Sequence, residues 1–167
     1  MRTSTDVLCP SAQPEIEDSV AFAVVDRDGD RPEAQWLESI VLVTQELLKM
    51  AEPVPPTQIF RFAATCQEKA CLHFDSTNCR LATRIANGLA AHGRKTPPCT
   101  IRAQCRWFKQ EGINACLRCS QVATEYVDPG SELEALARPE RLHASWRAEQ
   151  PHDHLGIGLG TRETENS

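Results

Sequence analysis

The chain has 167 residues, 18 Lys and Arg against 23 Asp and Glu, a formal net charge of −5 and 41% apolar residues. That length accommodates one domain with tails, and three Trp, one Tyr and five Phe are too few for a large core, so a covalent or metal staple would be useful. The longest apolar runs, around Val20–Val25 and Ile40–Val43, are far too short to span a bilayer.

In chain order, residues 1–31 read as an acidic tail, mostly without fixed structure. Within it Val20–Val25 is a candidate strand closed by the polar turn Asp26–Asp30. No basic region followed by an apolar one opens the chain, so no secretory leader is expected and the reducing cytoplasm is the expected compartment. Residues 32–55 read as an amphipathic helix. Trp36, Ile40, Val43, Leu47 and Met50 recur at helical steps, Pro32 suits a first turn, and Pro53, Pro55 and Pro56 end the pattern. Thr57 caps a second expected helix that reaches Cys66 or Glu68. Cys66 and Cys71 then lie about 140° apart on a continuous helix, so it must break between them if both are to face one metal.

Residues 56–127 form a cysteine-rich module. It holds seven of the eight cysteines, Cys66, Cys71, Cys79, Cys99, Cys105, Cys116 and Cys119, while Cys9 stands alone in the N-terminal tail before Pro10. Cys79 and Cys105 each open a helical pattern, where exposed N–H groups stabilise a thiolate. Gly112 stops the second pattern, and Gly93–Pro98 is loop. Residues 128–167 read as a polar, flexible tail, with a short helix around Leu133, Leu136 and Ala137. The expected fold is therefore mainly α: a small, metal-bound helical domain with disordered acidic tails.

Clustered cysteines in a reducing compartment are more often metal ligands than disulfides. Structural zinc prefers tight C-x2–4-C knuckles. Cys116-x2-Cys119 fits that spacing, Cys66-x4-Cys71 fits marginally, and the other gaps do not. An iron–sulfur cluster is larger and takes ligands from several loops, so wider spacing suits it. Cys99, Cys105, Cys116 and Cys119 then make one set, and Cys66, Cys71 and Cys79 a second, completed by Cys9 or left with three cysteines. One or two clusters are expected, [4Fe–4S] in preference, with zinc as the alternative.

Charge supports this division. Residues 61–119 carry ten Lys and Arg against three Asp and Glu, while the flanking segments are acidic. Arg102, Arg106 and Arg118, with Arg80 and Arg84, interleave with the cysteines and would favour thiolates and a reducible cluster. Trp107 and Phe108 would shield the site. A nucleic-acid partner is the other use for a basic module.

The segment Cys99-Thr-Ile-Arg-Ala-Gln-Cys105, leading into a helix, resembles the C-P-V-R-x-x-C ligand segment of the WhiB-like iron–sulfur proteins. The resemblance implies that Cys99 and Cys105 ligate a cluster, and it covers those seven residues. The family's preceding C-x2-C and its G-[VI]-W-G-G turn are absent. Taken as a whole, the cysteine-rich stretch is similar to uncharacterised small bacterial proteins of the same kind. Walker, G-x-S-x-G, G-x-G-x-x-G and H-E-x-x-H motifs are also absent, so no catalytic residue is assigned. The expected role is electron transfer or redox or oxygen sensing with a protein partner and no membrane. The alternative is a zinc-stabilised interaction module that binds nucleic acid through its basic face.

Overall fold

The computed structural model describes residues 6–124 and Leu136. In chain order they form β1 (Leu8–Ala12), β2 (Val20–Asp26), β3 (Glu33–Leu42), α1 (Gln45–Lys49), α2 (Pro56–Ile59), β4 (Phe60–Thr65), α3 (Arg80–Gly88), α4 (Arg106–Glu111) and α5 (Ile113–Cys119). The strands make one antiparallel sheet in the order β1-β4-β2-β3. This corrects the expectation of a mainly helical fold. The short helix expected around Leu133–Ala137, Leu136 excepted, and the flexible tail lie outside the described residues.

The expected helix over 32–55 is instead a long strand followed by one short helix. The steps of four and three that suggested a helix also place Trp36 and Leu37 next to each other, and in the structure they pack on opposite faces. Trp36 stacks on Phe22 with ring centroids 5.8 Å apart, while Leu37 joins the cluster around Phe60 and Phe62. Adjacent residues facing opposite ways is strand geometry. The β-branched Ile40-Val41 pair suits it, and β2 supplies the ladder that overrides a weak helical preference.

The second expected helix is likewise reduced to one turn, Pro56–Ile59, before β4 begins. β4 is an inner strand with a buried side chain at every position from Phe60 to Ala64. Phe60 and Phe62 point to the layer made by Leu37, Val43, Leu47 and Leu48. Ala63 points to the other layer, which includes Leu8, Val20, Phe22 and Ile101. Arg61, between the two phenylalanines, shares the face of Ala63 by the two-residue period. A bulge in β2 between Ala21 and Ala23 shifts the phase, so that both Phe22 and Ala23 join that second layer.

The N-terminal tail contributes a real strand. β1 lies on the sheet edge, where Pro10 costs no ladder bond that an inner strand would need. Against the Ala63 face pack α3, α4 and α5, with Leu81, Ile85, Trp107 and Ala115 at their centre. The helices after Cys79 and Cys105 begin where local sequence places them, each with its cysteine as N-cap, and Gly112 ends α4 at φ 61°. Among the described residues no helix is long and apolar enough to cross a membrane.

Candidate metal centre: two cysteine quartets

All eight cysteines are free thiols, and they line two cavities, four to each. Cys9, Cys66, Cys71 and Cys79 line the first, with His73, Phe74 and Arg106. Cys99, Cys105, Cys116 and Cys119 line the second, with Phe22, Trp36, Arg102, Trp107 and Phe108. The first has a cavity volume of ≈180 Å³ and a partly polar lining, the second ≈20 Å³ and an apolar one.

Separate elements bring each quartet together. Cys9 comes from β1, Cys66 from the residue after β4, Cys71 from the end of a 3-10 turn over Glu68–Ala70, and Cys79 from the N-cap of α3. The Cys66 N–H donates to the Val7 carbonyl at 2.8 Å, which pins the end of β4 beside the start of β1. Cys99 precedes a 3-10 turn over Arg102–Gln104, Cys105 caps α4, and Cys116 and Cys119 lie one helical turn apart in α5. The alternation of β1 divides its residues between the sites. Cys9 and Ser11 line the first cavity and Pro10 lines the second.

Each cavity treats its sulfurs in two opposing ways. Burial is the largest influence on Cys9 and Cys105 and pushes both thiols up to about 12, and it raises Cys79, Cys99 and Cys116 as well. Neighbouring sulfurs of the same quartet add to the rise by charge repulsion: Cys66, Cys71 and Cys79 at Cys9, and Cys119 and Cys99 at Cys105. Against this, backbone N–H groups reach the sulfur from Ser11 to Cys9, from Leu81 and Ala82 to Cys79, from Ile101 to Cys99, and from Trp107 and Phe108 to Cys105. N–H groups aimed at a sulfur stabilise its anionic form. A cation in the cavity would supply the remainder by displacing the protons.

Guanidinium groups attend both quartets. Arg102 lines the second cavity and favours the Cys116 thiolate. Arg106 lines the first. Its burial works to lower its pKa, but the sulfur of Cys66 and the carboxylate of Glu68 outweigh that, and the net shift is upward. It also pairs with Glu68 and sits 5.3 Å over the Phe74 ring. Arg118 turns elsewhere: its Nε donates to the Leu89 carbonyl at 2.6 Å and its Nη1 to the Asn114 carbonyl at 3.0 Å. Arg80 and Arg84 line neither cavity. Arg80 lies 3.8 Å from Asp75, and Arg84 bonds the Leu136 carbonyl at 3.2 Å.

Arg61, which sequence reasoning passed over, is fully buried. Its Nη1 donates to the Cys119 carbonyl at 2.6 Å and approaches Cys119 Sγ at 3.3 Å, and its Nη2 donates to the Pro10 carbonyl at 2.8 Å. Phe22 lies beneath the guanidinium at 5.3 Å and Trp107 at 6.0 Å. Among the described residues no carboxylate pairs with it. A buried charge needs a counter-charge, and the nearest candidate is the sulfur of Cys119. The signal was present in the run Phe60-Arg-Phe-Ala-Ala64, where a single charge interrupts an apolar strand.

Seven buried polar side-chain atoms lack a partner among the described residues, and five of them belong to residues lining the two cavities. Those are Arg102 Nε and Nη2, Trp107 Nε1, Arg106 Nε and Thr124 Oγ1. Orphaned donors around thiols suit a group rich in acceptors, such as inorganic sulfide. No three His, Cys, Asp or Glu side chains among the described residues are gathered as the ligands of a single metal ion. No protein-family model, curated protein or solved structure matches this chain.

Proposed function

We propose that the cysteine quartets bind one or two iron–sulfur clusters, [4Fe–4S] in preference, and that the protein transfers electrons or senses redox state or oxygen with a protein partner in the reducing cytoplasm. The observation that carries this reading is the sorting of eight free cysteines into two separate sets of four, each with N–H groups and a guanidinium turned to its sulfurs. When bound, such clusters supply one-electron chemistry, at a potential set by burial, hydrogen bonds to sulfur and nearby charge. The chain's own residues do the rest. Cysteines hold the cluster, Arg61, Arg102 and Arg106 offset its negative charge, and Trp107 and Phe108 exclude water from the second site.

The zinc alternative rests on the Cys116-x2-Cys119 spacing and the basic charge of residues 61–119. A zinc knuckle presents two sulfurs from a turn, however, whereas these two lie within α5.

Purification without air followed by iron, sulfide and zinc analysis tests the reading. The expected result is a brown protein with about four or about eight iron and as much sulfide per chain, absorbing broadly near about 400 nm and bleached by dithionite. A colourless protein with stoichiometric zinc overturns it.

A further inference from the structure

We propose that the open groove beside Cys66 is where the redox partner docks, and that this partner is a one-electron protein with a basic face around an apolar centre. The proposal rests on the reading that Cys9, Cys66, Cys71 and Cys79 hold a cluster, and it names the partner of that site. Cys66 lines two spaces at once. One is the cavity of its quartet, and the other is an open groove of ≈880 Å³ with Asp6, Ile16, Glu17, Asp18 and Leu42 around it. The groove lies at one end of the sheet. Leu8 pairs with Thr65, and Val20 pairs with Ala63 on one side and Leu42 on the other, so β1 and β2 start where β4 and β3 end. Cys66 follows β4 directly, which puts a member of the first quartet at that end.

Two independent observations assign the occupant. The first is the free end of β3, an edge strand. Ile40 and Val41 are each 41% exposed and Leu42 is 68% exposed. A run of three exposed apolar residues is a fault in a chain that meets nothing there, and Leu42 carries the run into the groove. The second is charge. Asp6, Glu17 and Asp18 line the groove, and among the described residues no Lys, Arg or His does. Asp18 is fixed in place one residue from Cys66: its Oδ2 accepts the Thr65 N–H at 3.1 Å and the Thr65 hydroxyl. Glu17 is exposed beside it. An apolar contact ringed by charge suits a small, short-lived redox interface, in which opposite charge steers the encounter.

Other occupants fit less well. A second copy of this chain, docked groove to groove, would set like carboxylates against one another. A small molecule is enclosed over most of its surface when bound, and an open groove does not enclose it. The electron step balances simply. One electron leaves the first cluster, which passes from [4Fe–4S]¹⁺ to [4Fe–4S]²⁺, and the partner's redox centre is reduced by one. No bond is made or broken, and no proton has to move.

A c-type cytochrome with a basic surface serves as the probe, at about 10 mM salt, where charge acts over about 30 Å. Calorimetry reads its binding to the full-length protein, and stopped-flow absorbance reads haem reduction by the reduced, desalted protein. The net charge of −5 attracts such a probe to any face, so paired variants decide the location. Glu17→Lys and Asp28→Lys change the net charge equally, but Asp28 lies in the turn between β2 and β3, at the opposite end of the sheet. Glu17→Lys should weaken binding and slow haem reduction about fivefold, and Asp28→Lys less than about twofold. Leu42→Ser should weaken binding about fivefold at low and high salt alike, because the contact it removes is apolar. Equal effects of Glu17→Lys and Asp28→Lys, or unweakened binding in Leu42→Ser, overturn the proposal while leaving the cluster standing. A dimer in sedimentation that Leu42→Ser dissociates gives the groove to a second copy and overturns it too. Absence of iron and sulfide from the unsubstituted protein removes the underlying reading itself.

Discussion

Gln110 holds the backbone of Cys79 from both sides: its Oε1 accepts the Cys79 N–H at 2.7 Å, and its Nε2 donates to the Cys79 carbonyl at 3.0 Å. The two residues belong to different helices, so α4, whose N-cap Cys105 lines the second cavity, also fixes the α3 N-cap that lines the first. Nε2 further donates to Thr83 Oγ1 at 2.9 Å. Local sequence places a cysteine before each helix, but this amide sets the distance between them.

Gln110→Leu keeps the bulk and removes those bonds, leaving a part-buried N–H and carbonyl at Cys79 without their partner. A loss of about 1–3 kcal/mol in denaturant unfolding is expected. Iron should fall at the quartet containing Cys79 while the Cys99 quartet keeps its share, which iron analysis of Gln110→Leu in a Cys9→Ser background separates.

Asp75 organises the loop that leads to Cys79. Its Oδ1 accepts the N–H of Asn78 at 2.8 Å and of Thr77 at 3.1 Å, across a turn in which Ser76 adopts φ 86°. Those two bonds, Asn78 first, hold the carboxyl below its ordinary range, with Arg80 adding to the effect. A depressed carboxylate contributes stability above its unfolded pKa and loses it as pH falls through the folded value. Amide hydrogen exchange at Thr77 and Asn78, after correction for intrinsic rates, should therefore quicken below about pH 4, and Asp75→Ala should show the faster exchange already at neutral pH. Unchanged exchange would mean that the loop is held by other contacts.

Trp107 is 1% exposed and lines the second cavity, with an Nε1 that has no partner among the described residues. Trp107→Ala should cost about 3–5 kcal/mol through the lost packing and the cavity left behind. Trp107→Phe keeps much of the ring and deletes the N–H. It should stay folded yet lose colour in air faster than the unsubstituted protein, if that N–H serves the cluster. Equal rates would assign Trp107 to packing alone.

The two sites should differ in their tolerance of oxygen. The first has the larger cavity and the more polar lining. Bleaching in air is expected in two phases, and Cys9→Ser should abolish the faster one. Loss of the slower phase instead would reverse the assignment.

The parts of the site legible in the sequence are those decided by neighbours along the chain. Cysteines in a first helical turn, the stop at Gly112 and the compact set from Cys99 to Cys119 all depend on contacts within a few residues. The strands depend on partners far away. Trp36, Ile40 and Val43 satisfy a helical step as readily as a strand, and pairing with β2 chose between them. The sequence leaves Cys9 open between a tail residue and the fourth member of the Cys66, Cys71 and Cys79 set; pairing of β1 with β4 brings it to their cavity.

The chain by itself determined how many sulfurs there are, their free spacing, and which of them start helices, because those properties need no long-range contact. Tertiary structure alone decided that Cys9 joins Cys66, Cys71 and Cys79 and that Arg61 lies buried against Cys119 and Pro10. Those outcomes follow from sheet order and from the alternation of side chains across β1 and β4, which bring together residues that no local rule connects.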